Sequence, residues 1–207
     1  MKRTYIYVDG FNLYYRALKN TPYKWLDLKA IFKRLLSKNH KIDAIKYFTA
    51  IVSGLKDPSK PIRQQTYIRA LQHYIPEISV FYGQFLSHRK RALLAYPTKD
   101  KKYEWIIDTE EKGSDVNLAV HLLNDAWLNK YDCAVILSND SDLAEAINLV
   151  KQQHNKLIGL VIPTNCFPSQ ELIKLADFVK RIRKGLLAAS QLPNPIPGTK
   201  IHKPTSW

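Results

Sequence analysis

Apolar and β-branched residues fill Thr4–Val8 and stop at Asp9-Gly10, the pattern of a short buried strand closed by a turn. Helical spacing follows in Asn12–Lys19 and Leu26–Ser37, where Leu28, Ile31, Phe32, Leu35 and Leu36 share one face. Ala44–Val52 predicts a second strand ending at Ser53-Gly54, Pro58–Ile75 a helix, and Ile78–Leu86 a third strand. Residues 87–113 lack periodicity and read as a basic loop, with Tyr103–Asp108 able to add a short strand. Asp115 opens a helix carrying Val116, Ala119, Val120, Leu122, Leu123, Ala126 and Trp127, with Ser114 or Asp115 placed to cap it. Cys133–Leu137 is an unbroken apolar strand, Leu143–His154 a helix, Leu157–Ile162 a strand and Ser169–Ser190 a long basic helix. No internal repeat is visible. Prolines at 193, 195, 197 and 204 bar a regular helix or central strand, so the organisation is a domain over 1–191 and a Pro-rich tail over 192–207.

Strands alternating with helices predict an α/β fold, a Rossmann-like parallel sheet flanked by helices on both faces. Sites in such sheets form at the carboxyl ends of the strands. Asp9 ends the first strand, and Asp140 and Asp142 follow the Cys133–Leu137 strand. Asp115 starts the helix leading into that strand. If the first and Cys133–Leu137 strands are neighbours, these carboxylates converge. Each also has a plain structural reading: Asp9 as a turn residue, Asp115 and Asp142 as helix caps. Clustered carboxylates raise one another's pKa, and a hard divalent cation removes that penalty. No histidine or cysteine stands near them in sequence, which argues against zinc.

Composition adds little until charge is considered. With 45% hydrophobic and 24% charged residues over 207 positions the chain is globular, and two cysteines exclude a disulfide framework or a four-cysteine zinc site. The N-terminal apolar run breaks at Asp9, too soon for a signal peptide, and no stretch approaches the ~20 residues of a membrane span. A cytoplasmic protein without membrane contact is the expectation. Against 18 Asp and Glu stand 32 Lys and Arg, a net +14 that attracts polyanions, nucleic acid foremost.

Arg89, Lys90 and Arg91, with Lys99, Lys101 and Lys102, read as a loop able to hold a phosphate backbone over the cleft, while Tyr96, Tyr103 and Trp105 either stack on unpaired bases or pack beneath a solvated loop. Lys56, Lys60 and Arg63 begin a helix against its dipole, a weak pointer to phosphate, whereas Lys180, Arg181, Arg183 and Lys184 read as a solvated face. The six histidines lack ligand spacing. Cys133 reads as core, and Cys166, beside Pro168, has nothing adjacent to activate it.

Three stretches in order, Tyr7-Val8-Asp9-Gly10-Phe11-Asn12-Leu13, Lys112-Gly113-Ser114-Asp115-Val116 and Leu137-Ser138-Asn139-Asp140-Ser141-Asp142-Leu143, resemble the NYN domain, a PIN-like nuclease family. The resemblance covers about Lys2 to Ile182 and extends to Leu175-Ala176-Asp177-Phe178. It implies a PIN-type fold and a metal-dependent ribonuclease with a Mg²⁺ or Mn²⁺ site. Asp9, Asp115 and Asp140 match the family's metal-binding acids, Asp142 a further acid, and Asn12 the polar residue after the first aspartate, an orienter of water or phosphate. A fourth ligand, with Glu110 and Glu111 nearby, is not aligned. The partner so implied is RNA, single-stranded by the aromatic pattern, and a homo-oligomer is left open. Two alternatives stand beside it: an RNA-binding module without turnover, and a structure-specific DNA nuclease.

Overall fold

The computed structural model describes residues 1–55, 57–163 and 167–207, so the readings of Lys56 and Cys166 lie outside the described residues. In chain order the strands are Lys2–Asp9 (β1), His40–Thr49 (β2), Ile78–Tyr82 (β3), Gln84–Leu93 (β4), Tyr103–Lys112 (β5), Cys133–Leu137 (β6), Leu157–Ile162 (β7) and Phe178–Arg181 (β8). The helices are Gly10–Leu13 (α1), Leu28–Leu35 (α2), Ser59–Tyr74 (α3), Ser114–Trp127 (α4), Ala144–His154 (α5), Gln170–Leu175 (α6) and Lys184–Ala188 (α7). A π-type turn, Tyr14–Leu18, extends α1.

Six strands form one sheet in the order β3-β2-β1-β6-β7-β8, and every pairing in it is parallel. The predicted α/β class therefore holds, and β1 and β6 are neighbours. The strand period of two divides the sheet into two cores. Ile6, Val8, Val135 and Leu137 face α2, α3 and the C-terminal segment, whereas Tyr7, Ala134, Ile136 and Leu160 face α4, α5 and α6. All five residues of β6 are buried, as a central parallel strand requires.

Three elements depart from the sequence expectation. The third strand breaks at Gly83, because the chain there leaves the sheet. Residues 87–113, expected as a loop, lie mostly in an antiparallel hairpin paired from Gln84↔Lys112 to Leu93↔Tyr103, and the short strand expected over Tyr103–Asp108 is part of its second arm. The long helix expected over Ser169–Ser190 is α6, β8 and α7 in succession. The open edge of β7 captures this segment: the Asp177 carboxylate accepts from the Ile158 amide at 2.7 Å, and the Phe178 ring lies against Gly159. Tertiary pairing overrides a modest helical pattern there.

The tail packs on the first core. Leu192 donates its amide to the Trp25 carbonyl at 2.8 Å, and Trp25 Nε1 donates to the Pro193 carbonyl at 3.0 Å. Leu192 and Ile196 are buried, and the Trp207 ring sits 5.7 Å from Tyr67 and 6.2 Å from Trp25 between centroids. Each buried aliphatic contributes about 1.5–3 kcal/mol. Removing residues 192–207 should therefore lower the melting temperature by about 10 °C or more, read by differential scanning fluorimetry. An unchanged melting temperature would show that the packed segment adds nothing to stability.

Candidate active site

The parallel register aligns Val8 with Leu137, so Asp9 and Ser138 emerge side by side at the carboxyl ends of β1 and β6. The chain then turns sharply into α1 at Gly10, where a Cβ would fall 2.8 Å from the Phe48 carbonyl and the Tyr47 ring. Asp9 caps α1 through a 2.9 Å bond from the Asn12 amide to Oδ1. Its Oδ2 accepts from Asn12 Nδ2 at 2.7 Å and from Ser138 Oγ at 2.9 Å. Arg16 Nε donates to Asn12 Oδ1 at 2.9 Å and so fixes which way that amide faces. Burial pushes the Asp9 carboxyl above the usual aspartate range, and the Asp140 charge adds to it, against the donors from Asn12 and Ser138.

Ser138 also accepts the Asp140 amide at 3.1 Å, which ties the two strand-end acids to one hydroxyl. Asp140 in turn caps the short turn Ser141–Leu143 by accepting from the Asp142 amide at 3.1 Å. Asp115 stands in the first turn of α4, where a negative charge suits the helix dipole. That helix is not capped by Ser114 or Asp115. Gly113, at φ +93°, occupies the cap position in the left-handed region that favours glycine, and Glu111 accepts from the Ser114 amide at 3.1 Å and hydroxyl at 2.9 Å.

One carboxylate oxygen from each of Asp115, Asp140 and Asp142 lies within 4.8 Å of the others. Asp9 stands beside this trio rather than in it, held by Asn12 and Ser138. None of the four carboxylates has a Lys or Arg partner among the described residues, although the chain carries a net +14. Carboxylate oxygens without sulfur or imidazole among them are the donor set that a hard divalent cation takes. Of the two unaligned acids, Glu111 serves the α4 cap and Glu110 pairs with Lys112 at 2.6 Å. Ser138 escaped the sequence reading; its signal was a hydroxyl one residue past the strand and two before Asp140.

The β4–β5 hairpin rises beside these acids, anchored where Phe85 meets the Phe11 ring edge-on at 5.6 Å between centroids. Register sorts its side chains by face. Arg89 opposite Ile107, Arg91 opposite Trp105 and Leu93 opposite Tyr103 share the face of Phe85 and Glu111. Trp105 and Ile107 are 67% and 69% exposed, and Arg91 lies over the Tyr103 ring at 4.6 Å. The opposite face is neutralised: Lys90 pairs with Asp108. Lys101, in the connecting segment with Lys102, pairs with Glu104 of β5. The basic residues grouped by sequence are thus separated, with Arg89 and Arg91 on one face and Lys90 on the other.

Residues 3–182 match the NYN domain. The chain is 35% identical over 238 aligned positions, spanning 99% of this chain and 75% of the relative, to a Pseudomonas putida (strain DSM 28022 / S16) protein named 6-hydroxy-3-succinoylpyridine 3-monooxygenase HspA. A crystal structure of a protein of unknown function, VPA0982 from Vibrio parahaemolyticus RIMD 2210633, superimposes with a TM-score of 0.56 at 18% identity. That superposition covers 88% of this chain and 94% of that one, a likeness of fold. No helix among the described residues is long and apolar enough to cross a membrane.

Proposed function

The chain belongs to the NYN domain family, within the PIN-like nucleases, and from that premise we propose that it is a Mg²⁺- or Mn²⁺-dependent ribonuclease acting on single-stranded RNA. The observation that carries this reading is the convergence of Asp115, Asp140 and Asp142 within 4.8 Å, with no basic partner among the described residues. These three would hold the cation, which when bound supplies charge neutralisation at the scissile phosphate and a more acidic water.

The chain's own residues do the rest. Asn12 and Ser138 immobilise Asp9 through three donated hydrogen bonds. About one of its roughly four acceptor positions is left to take a proton at that edge. Burial strengthens its hold on that proton. Ser138, which donates to Asp9 and accepts from the Asp140 amide, keeps the two carboxylates in register. The test is incubation of the purified protein with labelled single-stranded RNA or DNA, with Mg²⁺, with Mn²⁺ or with EDTA. Cleavage of RNA that EDTA abolishes is expected. Binding without turnover under every condition would replace the enzyme with an RNA-binding module, and preferential cutting of DNA flaps would change the substrate.

The Arg89–Arg91–Trp105 face supports contact with the RNA backbone and bases. Replacing Arg89 and Arg91 together with Ala should flatten the slope of log affinity against log salt by about 1.4, at roughly 0.7 per phosphate contact. Lys90→Ala, which removes a cation already paired with Asp108, should leave the slope near the wild-type value. Equal effects from both variants, measured by fluorescence anisotropy, would reject this face as the contact.

A second reading rests on the Pseudomonas relative, whose name assigns it oxygenation of a hydroxylated pyridine bearing a succinoyl group. Carried to this chain, it predicts dioxygen consumption on adding 6-hydroxy-3-succinoylpyridine and an electron donor. Running that assay beside the RNA assay separates the two activities.

A further inference from the structure

Beside Gly10 at the α1 turn, β2, α3 and the C-terminal segment line a pocket of about 70 Å³ whose mouth is open to solvent. Its walls are aromatic: Tyr14, Tyr47, Tyr67 and Trp207 line it. They come from the π-type turn, β2, α3 and the tail, so no local stretch of sequence announces them. Two are rigidly set. The Tyr67 hydroxyl donates to the Leu26 carbonyl at 2.8 Å, and the Trp207 ring packs edge-on against Tyr67 and Trp25. Planar walls fixed in this way favour a planar guest, by stacking or edge contact.

The same pocket carries Lys24, Lys60 and Arg63. Arg63 is tied to Asp57 at 2.6 Å, but Lys24 and Lys60 have no acidic partner among the described residues, and both are half-buried. Among the described residues no carboxylate lines the cavity. Half-buried cations facing an aromatic cavity lack the counter-charge that a ligand would bring. From this juxtaposition we propose that the pocket is a binding site for a single planar aromatic ring carrying an anionic arm, a carboxylate or a phosphate. The ring lies between Tyr14, Tyr67 and Trp207, and the anion meets Lys24 and Lys60.

The arm's chemistry has two sources, a small aromatic acid or the base and phosphate of one nucleotide, and the site is distinct from the acid trio in either case. Isothermal titration calorimetry of the full chain with nicotinate and with uridine 5′-monophosphate, beside neutral nicotinamide and uridine, tests it. Saturable binding of at least one anion is expected, about tenfold or more tighter than its neutral counterpart. The tighter of the two anions identifies the source. Lys24→Gln combined with Lys60→Gln should weaken that binding about tenfold or more, and both residues lie outside the core, so the fold is retained. Asp140→Asn should bind the anion as the unaltered protein does, which keeps this result separate from the fate of the cleavage reading. Absence of saturable binding by either anion, or undiminished binding in the double variant, overturns the proposal.

Discussion

Asp140→Asn should lower the rate of RNA cleavage by about a hundredfold or more while leaving the protein folded. The variant keeps the cap on the Ser141–Leu143 turn, because asparagine caps about as well as aspartate and the Asp142 amide retains an acceptor. It removes one of three carboxylates that crowd within 4.8 Å, so the metal-free protein should melt at the same temperature or slightly higher. Added Mn²⁺ should raise the melting temperature of the unaltered protein and raise that of the variant less, since a ligand that binds only the native state stabilises it by mass action. Full cleavage by purified Asp140→Asn would remove the acid trio from the chemistry. Asp9→Asn is a less clean probe. Its Oδ2 accepts from both Asn12 and Ser138, and an amide nitrogen there would face the Asn12 Nδ2 donor. That variant should disturb the position of the site as well as its charge.

The largest effect on stability is expected from Asp125, at the far end of α4 from Asp115. Its side chain is fully buried. It accepts from the Tyr7 hydroxyl at 2.8 Å, from Lys130 at 3.3 Å and from Lys46. Burial works to raise its pKa, but the hydrogen bonds from Lys46 and Tyr7 and the nearby positive charges outweigh that and hold it below the usual aspartate value. Asp125→Ala strands the Lys46 ammonium and the Tyr7 hydroxyl, at a cost of about 3–5 kcal/mol. For a chain of this size the melting temperature should fall by about 10 °C or more. Because the folded-state pKa is the lower one, the native protein binds fewer protons than the unfolded chain. The contribution is therefore present above the unfolded value, near pH 4, and fades as pH falls through the folded one. The gap between wild type and variant should accordingly narrow below about pH 4 in denaturant titrations. A gap that is constant across pH would mean that the Asp125 charge is not what stabilises the pair.

Much of the sheet was legible because parallel strands buried on both faces leave unbroken apolar runs. Thr4–Val8, Cys133–Leu137 and Leu157–Ile162 became β1, β6 and β7 within a few residues. The acids were legible for a related reason: each stands at the end of a strand or the start of a helix. The β4–β5 hairpin was not. Its two faces are both largely solvated, so Arg89, Arg91 and Trp105 alternate with Lys90 and Ala92 without an apolar period. Equally hidden was β8, where Phe178 is the one residue seated toward the core and Val179, Lys180 and Arg181 are exposed. An edge strand of that kind is specified by the open side of β7, through Asp177 and Gly159, and not by its own composition. The geometry of the trio also lay beyond sequence. Asp9 and Asp142 were both named, but it takes the structure to place Asp142 with Asp115 and Asp140 and to show Asp9 held by Asn12 and Ser138.

The contact between Trp25 and Pro193 joins positions 168 residues apart, and Trp207 closes over the same spot. On a ribosome the chain is delivered at about 5–20 residues per second, N-terminal portion first. The face of β1 formed by Ile6 and Val8 is thus made early, and part of its cover is made late. For that interval α2 and α3 present an incompletely covered apolar surface to the cell. The nascent chain should draw on chaperones until residue 207 has emerged. Stalling synthesis just before Leu192 and just after Trp207, and comparing protease resistance of the two nascent chains, would measure how much of the native fold waits for those last turns.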